Sequence, residues 1–328
     1  MKMKKLFSVL LVLTMVLALA ACGGSGSSGA SGGASKMTMG TGGTSGTYYA
    51  FGGVLSQYIK NNAGIEVIVV STDGSKANIE SIDSGDYQLG TVQSDVMAYA
   101  WEGTRSFEDT GKIDSFRVVA GLYAESVQLV TMDPEIKSVA DLKGKSVSIG
   151  APNSGVWFNA MDVLTAAGLT EADIKPQYQS FADSADALKD GKIDAAFIVA
   201  GAPTAAITEL CTTNSAYLVP IDGEVADKLM ADSPYYTTYT IPAGTYAGQD
   251  EDVVTVTIKA TLIVSADASE DDVYNLTKAI FDNTEAIAAE NGKGAELSVE
   301  NATSGMTAPF HAGAAKYFAE KGVTVETE

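Results

Sequence analysis

Five times along this chain an apolar, β-branched run gives way to a short loop of Gly, Ser and Thr, and then to a helical pattern. The runs are KMTM, IEVIVVS, YQLGTV, SVSIG and DAAFIVAG, and the loops after them include GTGGTSG, TDGS, QSD, APNSG and APT. Short strands alternating with helices predict parallel pairing, with helices covering the sheet faces. In such sheets ligands bind beyond the carboxyl ends of the strands, where helix N-termini point. The recurrence is architectural, since no tandem repeat is visible in the residues themselves.

Two stretches break the rhythm. FRVVAGLYAESVQLVT (residues 116–131) and DVVTVTIKATLIVS (residues 252–265) are long, rich in β-formers and without an interior helical pattern. A strand of that length can leave one lobe and enter another. The expected architecture is α/β and two-lobed, with two mixed, mostly parallel sheets joined by two crossing strands. Lobe I is expected to be discontinuous, from residues 37–122 and about 235–328, and lobe II to take about 123–234. Helical patterns in EDDVYNLTKAIFDNTEAIAAE and APFHAGAAKYFAEKG follow the second crossing.

Residues 1–21 are set apart as a leader. Lys2, Lys4 and Lys5 precede the apolar run LFSVLLVLTMVLALAA at residues 6–21. Sixteen residues fall short of the roughly 20 that a membrane span needs, and the pattern reads as a secretory signal. LAAC at residues 19–22 resembles a bacterial lipobox, which implies cleavage before Cys22 and a lipid on its thiol; an ordinary signal peptide is the alternative. The Gly/Ser-rich residues 22–36 form a soft tether. With Cys22 lipidated, Cys211 remains without an intrachain partner, and with one histidine in the chain a zinc site is not expected.

The chain of 328 residues carries a formal charge of −20, and without the three leader lysines −23. That balance speaks against nucleic acid or an anionic membrane surface as partner. An anionic ligand would have to be held by local donors against this field, and the uncharged loops supply hydroxyls and free backbone N–H groups for it. Nucleotide motifs fail: Ser45 stands where a dinucleotide loop needs its last glycine, and Val139 where a phosphate loop before GKS needs its first. No nucleophile, base and orienter assemble, so no catalytic residue is assigned. His311 reads as structural or as a ligand contact, and Trp157 as core or as a ligand platform. Arg105 reads as a surface-loop residue, and GQDEDV at residues 248–253 as a solvated turn or a cation loop.

The opening GTGGTSGTYYAFGG, then DGSKANI, GTVQSD, LYAESVQLV, SVADLKGKSVSIGAPNSG, FIVAGAPT and TIPAGTYAGQDEDV, occur in that order. Together they resemble the TAXI-type solute receptors of TRAP transporters. The resemblance implies a type II periplasmic-binding-protein fold, a monomer without cofactor, and an ion-gradient-driven TRAP-type permease as partner. It implies a small carboxylate ligand (glutamate, glutamine, or a C4/C5 dicarboxylate such as 2-oxoglutarate), while the lipobox and tether imply a chain held at the outer face of the cytoplasmic membrane. Carried onto this chain, the pocket takes Thr44, Ser45, Gly46, Thr47 and Tyr48 from the first loop, Ser75 from the second, and Gln93 and Ser94 from the third. Tyr123 lies near the crossing; Ser154, Gly155, Ala200 and Gly201 face it from the second lobe. Val156, Asp73 and Ala202 depart from the family's pattern. A surface sensor, or an enzyme on the same fold acting on a keto or phosphorylated acid, remains the alternative.

Overall fold

The computed structural model describes residues 35–152 and 154–328. The chain opens with β1 (Lys36–Gly40), α1 (Thr47–Ala63), β2 (Glu66–Val70), α2 (Ser75–Asp83) and β3 (Leu89–Gln93). β1 pairs in parallel with both β2 and β3, giving the order 2-1-3. After α3 (Ser94–Glu102) and the long β4 (Phe116–Thr131), the plan repeats. β5 (Ser146–Ser148), α4 (Gly155–Ala166), β6 (Lys175–Gln177), α5 (Phe181–Lys189) and β7 (Ala195–Ala200) give the parallel order 6-5-7. In each unit the chain leaves the central strand on one side and returns on the other. That reversal opens a crevice beyond the strand's carboxyl end. The rest is α6 (Ala205–Thr213), β8 (Tyr217–Val219), α7 (Gly223–Asp232), β9 (Thr237–Ile241), β10 (Val253–Ser265), α8 (Glu270–Phe281), α9 (Thr284–Glu290), α10 (Val299–Thr303) and α11 (Ala312–Glu320).

β4 and β10 are the two crossing strands expected from the sequence. They pair antiparallel with each other from Phe116↔Ser265 to Ser126↔Thr257. Beyond Ser126, β4 takes β7 and β8 as partners; β10 takes β3 over Ala260–Val264 and β9 over Val253–Thr257. At 16 residues and a rise of about 3.3 Å each, β4 is long enough to serve both units. Because the crossing strands bond to each other, the two units share one ten-stranded sheet instead of forming two separate ones. Both crossing strands run antiparallel to all their neighbours, while the strands inside each unit are parallel.

Separate cores lie on the two sides of this change of partners. One gathers Met39, Phe51, Leu55, Val92, Val118, Leu262 and Phe318. Another gathers Val127, Val147, Leu164, Phe197 and Val256, and a smaller one Ile198, Ile207 and Leu210. Along β10 the membership changes between Ile258 and Ala260. That is later than the return near residue 235 expected from the sequence, because β9 folds back on the first half of β10 and carries Tyr236 and Ile241 with the second unit.

Candidate functional site

Four helices start at strand ends that border the crevices, α1, α2, α3 and α4, and in none does the N-cap residue's side chain bond into the first turn. Gly46 and Gly74 stand at the N-caps of α1 and α2. Ser154, at the N-cap of α4, is buried and leaves its Oγ without a partner among the described residues. α5 shows the contrast, since Ser180 Oγ accepts the Asp183 N–H at 3.2 Å. An uncapped first turn presents N–H groups without intrahelical acceptors and a partial positive charge. Gly46, Thr47, Gly74, Ser75, Ser154 and Gly155 line one cleft of about 80 Å³, so three such helix starts converge there. Close approach is possible because Gly155 lacks a side chain: a Cβ there would lie 1.6 Å from Gln93 Oε1.

The cleft also has acceptors. Glu125, from β4, is buried, and Tyr48 donates its hydroxyl to Glu125 Oε2 at 2.5 Å. Burial pushes the Glu125 carboxyl up to about 8, against the opposing pull of the Tyr48 hydrogen bond and of Lys293. Burial, reinforced by Glu125, also raises the Tyr48 phenol well above its usual range. Lys293 Nζ donates to Glu296 Oε1 at 2.7 Å and stands 6.0 Å from the Tyr123 ring centre. Gln93 Oε1 and Gln179 Oε1, both on lining residues, are buried without partners.

Hydrogen bonds tie the two units shut around the cleft. Thr47 Oγ1 donates to the Gly201 carbonyl at 2.8 Å, and the Ala206 N–H to the Ser45 carbonyl at 3.2 Å. Deeper, Gln93 Nε2 donates to Asn159 Oδ1 at 3.0 Å, and Asn159 Nδ2 to Asp95 Oδ2 at 2.9 Å. Burial pushes the Asp95 carboxyl up to about 7. Arg105 closes the outer edge, donating to Asp162 on α4 at 2.7 Å and 3.3 Å and stacking on Tyr99 and Phe158. The arrangement can bind and enclose a small polar molecule. Among the described residues, no side chain hydrogen-bonds Ser154 Oγ to activate it.

A family model described as NMT1-like matches residues 39–322. The chain belongs to the NMT1-like family. Solved structures similar to this NMT1-like chain include the alkanesulfonate-binding protein SsuA from Xanthomonas axonopodis pv. citri. It is 18% identical with a TM-score of 0.51, over 87% of this chain and 83% of that one. A putative L-cystine ABC transporter protein from Listeria monocytogenes is 17% identical with a TM-score of 0.50, over 80% and 98%. PhnD1 from Prochlorococcus marinus, in complex with methylphosphonate, is 13% identical with a TM-score of 0.50, over 75% and 84%. The fold is the two-lobed periplasmic-binding-protein fold, and the two units are its lobes.

Of the residues singled out in the NMT1-like sequence, the cleft lining contains Gly46, Thr47, Tyr48, Ser75, Gln93, Ser154, Gly155 and Ala200. Five lie outside it. Thr44 is exposed, and Ser45 contributes its carbonyl to the contact with Ala206. Ser94 Oγ accepts the Lys259 N–H at 3.2 Å. Tyr123 packs edge-on against Phe51, and the Gly201 carbonyl receives Thr47. Val156 and Asp73, the two departures nearest the loops, do line the cleft. His311 is structural: Nδ1 accepts the Gly313 N–H at the start of α11, and Nε2 sits 3.1 Å from the Ala268 carbonyl. Trp157 stacks on Phe158 away from the lining. Arg105 is exposed, as read from the sequence, and its guanidinium also reaches across to Asp162.

Sequence reasoning missed Glu125, Asn159, Gln179, Ser180 and Phe181. Glu125 had a visible signal, a lone charge inside the apolar run LYAESVQLV. Gln179, Ser180 and Phe181 follow the three-residue edge strand β6, which contains Pro176 and is too short and broken to announce itself. Among the described residues no cluster of three or more His, Cys, Asp or Glu could hold a metal. Cys22 and the leader lie outside the described residues.

Proposed function

We propose that this chain is an extracytoplasmic solute receptor, not an enzyme, which encloses a small carboxylate-bearing molecule between its lobes and delivers it to a membrane permease. The observation that carries the reading is the convergence of three uncapped helix N-termini on one cleft together with the buried, unpartnered Ser154 Oγ. Each hydrogen bond from such donors to a carboxylate is worth roughly 1.5–3 kcal/mol. A handful holds a small anion at micromolar concentration even on a chain of charge −20. The candidates are glutamate, glutamine and C4/C5 dicarboxylates, and the permease is of TRAP type, as the TAXI resemblance implies. The leader, Cys22 and the tether support a receptor anchored by lipid outside the cytoplasmic membrane.

A second reading keeps the receptor and changes the permease to an ABC type, the transporter class of the Listeria neighbour. Co-purification of the lipidated chain with its permease from membranes distinguishes the two. The receptor reading itself is tested by mass spectrometry of the molecule released from gently denatured protein, followed by calorimetry with that molecule. A calorimetric panel of amino acids and dicarboxylates that shows no binding at millimolar concentration refutes it.

A further inference from the structure

The cleft lining mixes donors and acceptors: the helix starts and Ser154 stand among oxygen acceptors, and Gln93 Oε1 lies beside the start of α4. Among the described lining residues the charged side chains are Asp73 and Glu125, both acidic. Gln93 Oε1 and Gln179 Oε1, two amide oxygens without partners among the described residues, add to the acceptors. The orientation of Gln93 is set by its Nε2, which is engaged with Asn159, so its oxygen is the free atom. A ligand carrying carboxylates alone satisfies the helix starts and leaves this second set without donors.

Resting on the receptor reading above, we infer that Glu125 is a specificity-determining residue. It receives a protonated amine of the ligand, so that the solute is a zwitterion of the amino-acid kind and the matching oxo acid is discriminated against. The groups that bear on Glu125 are known from each neighbouring element. Tyr48 on α1 donates to it, and Tyr123 precedes it by two residues on β4. Lys293, beyond α9, pulls on it but is already paired with Glu296, and Asp95 on α3 opposes its ionisation. Asp73 is the other acid of the lining. No cation in this set is free to pair with an ionised Glu125, and an incoming ammonium supplies one.

A proton balance follows. In the empty cleft, burial keeps a proton on Glu125 near neutral pH. A bound ammonium favours the carboxylate, so the proton leaves to solvent as the ligand enters. A ligand that instead set a second carboxylate against Glu125 would hold that proton or take one up.

The test is calorimetry at pH 7 in two buffers of different ionisation enthalpy, on the wild-type chain without its leader. It uses matched pairs: glutamate with 2-oxoglutarate, alanine with pyruvate, and leucine with its 2-oxo acid. The expected result is that one amino acid binds, that its oxo partner is weaker by at least tenfold, and that protons are released. Equal or tighter binding of the oxo acid, or proton uptake with the amino acid, overturns the assignment of Glu125 and leaves the receptor standing. No binding by any pair overturns the assignment of Glu125, and the receptor reading is then decided by the molecule released from the purified protein and the wider panel above. Glu125→Gln, of the same shape, should lower amino-acid affinity at least tenfold and abolish proton release. If that variant does not fold, the wild-type pairs still decide the matter.

Discussion

Gly155→Ala sets two forces of known sign against each other. Gly155 is the first residue of α4 and lies outside the left-handed region, so alanine there favours the helix by about 0.5–1 kcal/mol. The new Cβ would fall 1.6 Å from Gln93 Oε1 and 2.3 Å from Gln93 Cδ, which no contact tolerates. Gln93 must swing away, and Asn159 Oδ1 then loses the hydrogen bond it accepts at 3.0 Å. Leaving a buried polar group unpaired costs roughly 1–3 kcal/mol. The loss falls on the closed form, because Gln93 belongs to one lobe and Asn159 to the other. If solute is held only when the lobes are shut, affinity drops by about 5- to 150-fold, while the thermal midpoint of the empty protein falls by no more than about 3 °C. Calorimetry with the molecule found on the purified protein measures the first, and a thermal melt the second. A variant that binds within twofold of the parent refutes the view that Gln93 and Asn159 govern closure.

Other perturbations separate binding from folding. Ser154→Ala removes a buried hydroxyl that has no partner, so stability holds or rises by up to about 1 kcal/mol while solute affinity falls about tenfold; equal affinity removes Ser154 from the site. Arg105→Ala cuts the bond to Asp162 and the stacking on Tyr99. It should weaken binding severalfold and increase the radius of gyration by solution scattering at subsaturating ligand. Asp95 has its folded-state pKa raised to about 7. The folded chain therefore keeps a proton that the unfolded chain releases between about pH 4 and 7, and stability falls as pH rises through that window. Asp95→Asn should flatten the profile by up to about 1.4 kcal/mol per pH unit, whatever its absolute stability. Denaturant melts at pH 5 and pH 7.5 measure the difference, and an unchanged slope excludes Asp95 as its source.

Strands and loops were legible wherever local pattern decides structure. Residues 116–131, read as a crossing strand, are β4 to the residue, and residues 252–265 contain β10. Eight of the thirteen expected pocket residues line the cleft, because loops after parallel strands open on the same edge whatever the side chains. The misses have separate physical origins. Asn159 is 66 residues from Gln93, and Arg105 is 57 from Asp162. Those partners meet only when the lobes shut, so no local period encodes them. Ser45 and Ser94 sit in the right loops, but the Ser45 carbonyl takes the Ala206 N–H of the other lobe and Ser94 Oγ the Lys259 N–H of β10, contacts distant in sequence. The unit β6–α5 escaped notice because a three-residue strand with a proline shows no alternation.

The pairing of β4 with β10 has a mechanical consequence. Two independent connectors would let the lobes swing as on a loose pin. Here the connectors are laced together by the ladder from Phe116↔Ser265 to Ser126↔Thr257, with register breaks at Lys259/Thr261 and Leu262/Ile263. Such a ribbon resists shear and yields chiefly to twist, most readily where its ladder is broken. Opening of the lobes would therefore be confined to one coordinate, with elastic work stored in the deformed ribbon. In a receptor of the kind proposed above, the solute's grip on the cleft would have to exceed that recoil, and a permease would recover it at release.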